Sequence, residues 1–331
     1  MKGYKAFHKN LICSGKQYVE NTAFEEGVYN KGMHFCKNPL DTLSYYPLVD
    51  NKGNVTEFTE VEALDSAETD DGKKFCTKKL KIGSKLSLSQ FIEASFDFAS
   101  QNMKSQVEVS DNVAFVGRYN AELAGGTCAK LVGGSHARLV GGDRAKLIGG
   151  KAATVLGGND AVVVGSDYAT LVGEYCAKLI GGNCTKLIGD CGATLVGGNW
   201  TELVGSNNTI LVGRHNAKLV GSDDAILVGG DSAILTGNDN TKLIGGIYAT
   251  LMGGNNAKLV GDYATKLIGG NNSIIVGDNG STAKGKKGSI IVLVERDDEM
   301  NIVNFKAVQV DGEKIKEDVS YKLENGELIQ V

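Results

Sequence analysis

The sequence predicts a mainly β protein built around an octapeptide-repeat β-solenoid, and three observations support this. A glycine recurs every eight residues from Gly117 to Gly277 without one insertion or deletion. The fifth place of each octad is always Ala, Thr or Ser, and the seventh is always Leu, Val or Ile. Of the 45 glycines, 33 lie in this stretch, while both prolines lie near the start, which excludes collagen. Short strands that cannot bury an apolar face alone do so by stacking.

The octad reads G-G-x-x-A-x-L-V and divides into a short strand and a turn. A helix is excluded because eight is not a multiple of 3.6, and two glycines per octad would cost a helix about 1 kcal/mol each. Gly, Asn and Asp tolerate the positive φ that tight bends need, which explains the turn composition. The sequence leaves open whether two or three octads close one coil. A narrow interior, with Ala or Thr facing Leu, favours two.

Side-chain alternation places the fifth and seventh residues inside the solenoid and the sixth outside. The eighth residue is almost always Val or Ile, yet it has the outward parity. We favour an inward turn at the corner; the alternative is an exposed apolar ladder, which would be a partner surface.

The sixth place is apolar in five octads whose neighbours carry Lys or Thr. Either these are simply good strand formers or they mark a patch. With two octads per coil, four of the five fall on one face. The candidate partner-binding residues are therefore Val162, Ile210, Ile226, Ile234 and Ile274.

Three regions are predicted: an α+β N-terminal domain (1–104) that ends in a capping helix, the solenoid (105–285) and a β-rich C-terminal cap (286–331). In the first region a capping box at Ser87 and Gln90 predicts the start of that helix, with Phe91, Ile92, Phe96 and Ala99 on its apolar side. A shorter helix should run from Asn38 to Tyr46. The predicted strands are Gly3–Phe7, Met33–Cys36, Val55–Leu64, Phe75–Ile82, Ser289–Glu295, Ile302–Val310, Val319–Leu323 and Glu327–Val331, the last two joined by a turn at Asn325-Gly326.

Composition limits the possible functions. The 35 basic and 39 acidic residues form no concentrated basic patch, so no nucleic-acid partner is expected. The first ten residues lack the apolar core of a signal peptide, and no apolar run approaches ~20 residues, so we expect a cytoplasmic protein without membrane contact. Seven cysteines without a C-x-x-C pair indicate free thiols and no metal. No nucleophile elbow, P-loop or H-E-x-x-H is present, so no catalytic residue or cofactor is assigned; the sequence favours a non-enzymatic protein without deciding the point.

The N-terminal residues carry a resemblance to a known family. MKGYKAF at 1–7 and GMHFCKNPLD at 32–41, followed by Tyr45 and Tyr46, resemble an uncharacterised domain family that is common in phage and prophage proteins and often precedes glycine-rich repeats. The resemblance covers about the first hundred residues. It implies a phage or mobile-element origin and brings no established activity.

The same region also resembles ADP-ribosyltransferases, in which a strand is followed by a G-x-x-F stretch and a Tyr-bearing helix. This resemblance implies that Tyr4, His34 and Tyr46 surround a nicotinamide pocket. The catalytic Glu of that family has no clear counterpart here, although Glu60 and Glu62 are present. The other reading is that the aromatic residues are core of a small domain.

The repeat also resembles two other kinds of repeat protein. It resembles calcium-binding nonapeptide rolls, but its period is eight and its Asp residues are irregular: Asp160 is at the fourth place, and the third place carries Asp in only some octads, as at Asp143, Asp223, Asp231 and Asp239. It also resembles ice-nucleation repeats, but the outward Thr154, Thr170, Thr194 and Thr250 are scattered. We therefore expect a rigid scaffold that binds a protein partner or a second copy of itself, possible homodimers included.

Overall fold

The computed structural model describes residues 1–26, 32–102 and 110–331, which form two compact units. The N-terminal unit is a small β domain with one α-helix, α1 (Leu88–Asn102), and a 3-10 helix (Pro39–Ser44). Its strands are β1 (Lys2–Phe7), β2 (Ile12–Cys13), β3 (Lys16–Gln17), β4 (Ala23–Glu25), β5 (Met33–Cys36), β6 (Glu57–Ala63), β7 (Lys74–Thr77) and β8 (Lys79–Lys85).

Six of these strands form one antiparallel sheet with the order β4-β8-β6-β1-β5-β7, and β2 and β3 form a separate hairpin. The predicted continuous strand Phe75–Ile82 is wrong, because the chain breaks at Lys78 into β7 and β8. One residue thus connects a strand at one edge of the sheet to a strand beside the other edge. The sheet must curl until these edges approach, and a pattern along one strand cannot reveal such a bend.

Both predicted helix starts are confirmed. The Ser87 N–H donates to Gln90 Oε1 at 2.8 Å, and the Gln90 N–H donates to Ser87 Oγ at 3.2 Å, which is a reciprocal capping box. Asn38 Oδ1 accepts from the Leu40 N–H at the start of the shorter helix. Phe91 and Ile92 of α1 are buried as expected. The Phe96 side chain and the predicted boundary at residue 104 lie outside the described residues.

The second unit is a β-solenoid of about 11 coils. Its strands are β9 (Ala114–Val116), β10 (Glu122–Gly125), β11 (Lys130–Gly133), β12 (Arg138–Gly141), β13 (Lys146–Gly149), β14 (Thr154–Gly157), β15 (Val162–Gly165), β16 (Thr170–Gly173), β17 (Lys178–Ile180), β18 (Lys186–Gly189), β19 (Thr194–Val196), β20 (Glu202–Gly205), β21 (Ile210–Val212), β22 (Lys218–Gly221), β23 (Ile226–Gly229), β24 (Ile234–Gly237), β25 (Lys242–Gly245), β26 (Thr250–Met252), β27 (Lys258–Gly261), β28 (Lys266–Ile268), β29 (Ile274–Gly277), β30 (Thr282–Lys284) and β31 (Ile290–Arg296).

Each strand pairs in parallel with the strand two octads away, as in Lys130↔Lys146 and Arg138↔Thr154. Two octads therefore close one coil, and the favoured interpretation is confirmed. Odd-numbered strands form one sheet, here called the odd sheet, and even-numbered strands form the opposite one, the even sheet. Between them lie the fifth and seventh residues of every octad, such as Ala137 and Leu139, both fully buried.

The glycines of the first position are required by close packing. Gly133 lies on the inward side, where an added Cβ would come within 2.5 Å of the Ala137 Cβ and 2.9 Å of Leu139 Cδ2. Positive φ is instead adopted by the fourth residue of each octad, as at Ala152 (φ 55°) and Asn256 (φ 56°). The expectation that the turn needs positive φ is thus confirmed, but it applies to the fourth position, where Asn is frequent.

The favoured inward turn of the eighth residue is wrong. On the odd sheet these side chains point outward, and Ile148, for example, is 49% exposed. The reason is that the next inward position belongs to the first glycine, against which Ala and Leu already pack without room for a Cβ. On the odd sheet the chain therefore adopts the exposed apolar ladder, whereas four eighth-position residues of the even sheet, Leu156, Val172, Ile188 and Val204, are buried.

Three antiparallel strands complete the unit: β32 (Ile302–Gln309), β33 (Ser320–Glu324) and β34 (Glu327–Gln330). Strand β32 pairs with β31 at the end of the odd sheet, and β33 and β34 extend the even sheet beyond β30. Asn325 and Gly326 both have positive φ, as the predicted two-residue turn requires. Among the described residues, no helix has the length and apolarity to cross a bilayer.

Candidate interaction surface and a cavity in the N-terminal domain

The outward face of the odd sheet carries two columns of side chains. The eighth-position column is Val or Ile in all twelve strands of this sheet, here called rungs, from Val116 to Val292. None of these residues is buried. The sixth-position column beside it is mixed. It contains Lys130, Lys146, Val162, Lys178, Thr194, Ile210, Ile226, Lys242, Lys258, Ile274 and Ile290. The result is a continuous apolar strip with a partly cationic border.

Four of the five candidate partner-binding residues lie on this face: Val162 (β15), Ile210 (β21), Ile226 (β23) and Ile274 (β29). Ile210 and Ile226 are direct neighbours in the parallel register, and Ile210 is 41% exposed. Ile234 lies in β24 of the even sheet and is separated from the others. Their role in binding a partner stays a prediction.

The strip continues into the terminal strands, which sequence reasoning missed. Ile290 aligns with Ile274 in the parallel register, and Phe305 of β32 lies opposite Val294 of β31. Phe305 is 68% exposed. Directly opposed residues in an antiparallel pair share a face, so this aromatic side chain extends the apolar surface past the last coil. The sequence shows that Val303, Phe305 and Ala307 share one apolar side of this strand, but such a pattern predicts burial, and Phe305 is exposed.

The turn aspartates connect successive coils. Asp143 Oδ1 accepts from the Asn159 N–H, and Asp239 Oδ1 accepts from the Asn255 N–H at 2.7 Å, one coil further on in each case. Asp231 does the same for the Ile247 N–H. Among the described residues no three His, Cys, Asp or Glu side chains converge as a metal site would need. These carboxylates hold the backbone of the next turn.

The N-terminal domain contains a cavity of about 150 Å³. The structure brings Tyr4, His34 and Tyr46 together along its wall, as the second resemblance implied. Glu60 and Glu62 belong to a different groove, on β6, and do not line this cavity. The other lining residues are Lys5, Ala6, Cys13, Ser14, Phe35, Cys36, Thr42, Tyr45 and Lys74.

Lys5 and Cys13 define the chemistry of this cavity. Lys5 is only 5% exposed, and its Nζ donates to the His34 carbonyl oxygen at 2.7 Å. The ammonium also lies 5.4 Å from the centre of the Phe7 ring. Cys13 ends β2, just before a two-residue turn in which both residues have positive φ. The Tyr46 hydroxyl donates to Cys13 Sγ at 2.9 Å.

Burial and charge shift the ionisation of these groups. Burial lowers the pKa of Lys5. Burial alone would raise the pKa of the Cys13 thiol, but the charge of Lys5 and the hydrogen bond from Tyr46 outweigh it, and the net shift is downward. Cys36, in the same cavity, shows the opposite case: burial raises the pKa of its thiol to about 12. The pKa values of the two cavity thiols are thus shifted in opposite directions.

Sequence reasoning missed Lys5 and Cys13, although a signal for Lys5 was available. Lys5 has the same strand parity as Phe7, which is buried, so alternation along β1 predicts an inward lysine. Buried lysines without a structural reason are uncommon. Cys13 gave no comparable signal, because its neighbours in the site lie on other strands and loops.

Comparison with known proteins gives one match. Residues 1–94 match a family model described as Domain of unknown function (DUF7666). No curated protein and no solved structure matches the chain. The matched range contains the whole cavity and none of the solenoid.

Proposed function

We propose that this chain is a rigid β-solenoid scaffold that associates with a second copy of itself through the apolar strip on the odd sheet. The observation that supports this is the unbroken column of Val and Ile from Val116 to Val292, exposed or half-buried at every rung. Contiguous apolar patches of this extent are rare on proteins that act alone.

The spacing of the rungs favours another solenoid as partner. Parallel strands in successive coils lie about 4.8 Å apart. A helix repeats every ~5.4 Å, so its side chains shift by ~0.6 Å per rung and are one full rung out of register after about eight rungs. A strand presents one face every ~6.7 Å and is out of register within about three rungs. A second copy of this chain has the same repeat and stays in register throughout.

The size of the face also suits a dimer. Twelve rungs span roughly 53 Å, and a four-residue strand is about 13 Å wide, which gives about 700 Å² per copy. Stable interfaces bury ~800 Å² per partner. A two-fold axis that is perpendicular to the strands, parallel to the solenoid axis and centred on the Val/Ile column would set the two columns against each other. The sixth-position lysines would then lie at the rim, where their ammonium groups reach water.

The experiment is a paired substitution on each sheet. Val212→Lys with Val228→Lys, at neighbouring places of the eighth-position column, should convert the dimer to a monomer in sedimentation velocity, because four like charges would enter the apolar contact. Thr250→Lys with Thr282→Lys places the same charges at sixth positions of the even sheet and should leave the dimer intact. Circular dichroism checks that all variants keep the β fold. A native chain that sediments as a monomer, or a double Val variant that still dimerises, contradicts the proposal.

The phage or prophage setting belongs to this proposal as well. It is supported only by the resemblance of the N-terminal residues to that uncharacterised family.

A further inference from the structure

We propose that the cavity of the N-terminal domain is a nucleophilic thiol site for a small electrophile that carries negative charge. Cys13 is the attacking group, Lys5 and Tyr46 hold its thiolate, and Lys74 pairs with the charge of the ligand. This inference concerns β1, β2 and the 3-10 helix region and is independent of the solenoid.

The first supporting observation is the environment of the buried Lys5 ammonium, which also hydrogen-bonds to Cys13. An ammonium has three donors, and among the described residues its Nζ reaches one oxygen, that of the His34 carbonyl at 2.7 Å. No carboxylate within the described ranges forms an ion pair with it. A lysine that is 5% exposed needs compensation for its charge. The wall offers the Cys13 thiolate, and the cavity leaves space for an anionic ligand.

The second observation is the direction of the Tyr46 hydroxyl. It donates to Cys13 Sγ at 2.9 Å, so the sulfur acts as the acceptor, as a thiolate would. The lowered pKa of Cys13 agrees with this geometry. Thiolates are the reactive form of cysteine, and nearby cations are the usual means of stabilising them.

The third observation is the cationic character of the wall. Lys74 lines the cavity together with Lys5, and its Nζ lies 4.9 Å from the centre of the Tyr45 ring, which also lines it. His34 is held neutral, since burial and the charges of Lys74 and Lys5 lower its pKa. A ligand with a carboxylate or phosphate group would complement this wall better than a neutral one.

The reaction is a displacement at carbon. The thiol proton leaves to solvent, the sulfur lone pair forms the S–C bond, and the leaving group departs with the electron pair of the bond that breaks. No oxidant or reductant takes part.

The experiment compares iodoacetate, which is anionic, with neutral iodoacetamide on the full chain, and follows each of the seven cysteines by peptide mass spectrometry. We expect Cys13 to react with iodoacetate at least ten-fold faster than Cys36 or Cys128. Tyr46→Phe, which removes one oxygen, should slow Cys13 several-fold with both reagents. Lys74→Gln should slow iodoacetate and leave iodoacetamide unchanged.

Lys5→Met should slow both reagents further, and near-ultraviolet circular dichroism checks that its domain still folds. If Lys5→Met does not fold, Tyr46→Phe and Lys74→Gln still decide the matter. Equal rates at Cys13 and Cys128 in the native chain, or a preference for iodoacetate that survives Lys74→Gln, would overturn the inference.

Discussion

At the scale of single residues, the repeat assigns different physical tasks to residues that look alike in the sequence. The first-position glycine is needed because its Cβ would collide with the inward Ala and Leu. The fourth position is where φ is positive, and it accepts Asn, Cys, Arg, Tyr and even Trp200. For L-residues that region costs roughly 1–2 kcal/mol, and less for Asn or Asp.

This cost predicts that Ala152→Gly stabilises the solenoid. Ala152 has φ 55°, and glycine adopts that region freely. After allowance for the greater freedom of glycine in the unfolded chain, we expect a gain of about 0.5 kcal/mol in the free energy of unfolding, measured by chemical denaturation. Ala153→Gly, the next residue, is buried in the core and should lower stability instead. A loss of stability in Ala152→Gly would contradict the argument.

Only part of the chemistry of the N-terminal cavity can be predicted from the sequence. The parity of Lys5 in β1 indicates an inward lysine, yet the thiol that it meets lies in a hairpin formed by Ile12, Cys13, Lys16 and Gln17. The hydrogen bond from Tyr46 to Cys13 spans 33 residues. Contacts of that kind depend on how strands and loops meet in space, and no local pattern encodes them.

At the scale of elements, the octad specifies most of the fold because every strand repeats the same inward and outward positions and the same turn. Alternation correctly placed Ala137 and Leu139 inside, and the Ser87 and Gln90 pair correctly started α1. The same reasoning gave a wrong prediction for the eighth residue. Its hydrophobicity indicated burial, while its parity in the strand indicated exposure. Parity decided the outcome, since a strand cannot turn one side chain inward without displacing the glycine that follows.

The end of the solenoid contains an ion pair that makes its stability depend on pH. Arg296 Nε donates to Asp278 Oδ1 at 2.7 Å, and this hydrogen bond lowers the pKa of Asp278 from 3.8. A lowered carboxyl pKa stabilises the fold above the unfolded value, and this contribution is lost as the pH falls through the folded value.

We therefore expect Arg296→Gln to lower the melting temperature at neutral pH and to have little effect at a pH below the folded pKa of Asp278. Thermal melting of native and variant chains across the acid range measures the difference. Lys286→Gln serves as a control that removes one positive charge without breaking this pair. A difference that stays constant from neutral to acid pH would argue against the assignment.

At the scale of the whole molecule, the sheet on which a strand lies depends on whether an even or odd number of octads precedes it. Removal of 16 residues, 230–245, subtracts one coil and returns every later strand to its own sheet. Removal of eight, 230–237, sends every later strand to the opposite sheet and moves Ile274 away from Ile210 and Ile226.

We expect both deletions to keep the β spectrum in circular dichroism, because each junction preserves the octad phase. The 16-residue deletion should also keep self-association in sedimentation velocity. The eight-residue deletion should weaken it, because Ile274, Ile290 and Phe305 then leave the face that carries Ile210 and Ile226. Equal association of the two variants would indicate that the strip is not the contact.

The position of Trp200 has a consequence for spectroscopy. It is the single tryptophan of the chain, and at 62% exposure it projects from a turn between rungs. Its indole is already surrounded by solvent in the native protein, so its fluorescence emission maximum changes little when the solenoid unfolds. The same indole reports on any molecule that binds this edge of the solenoid, because its removal from solvent would shift the fluorescence emission to shorter wavelength.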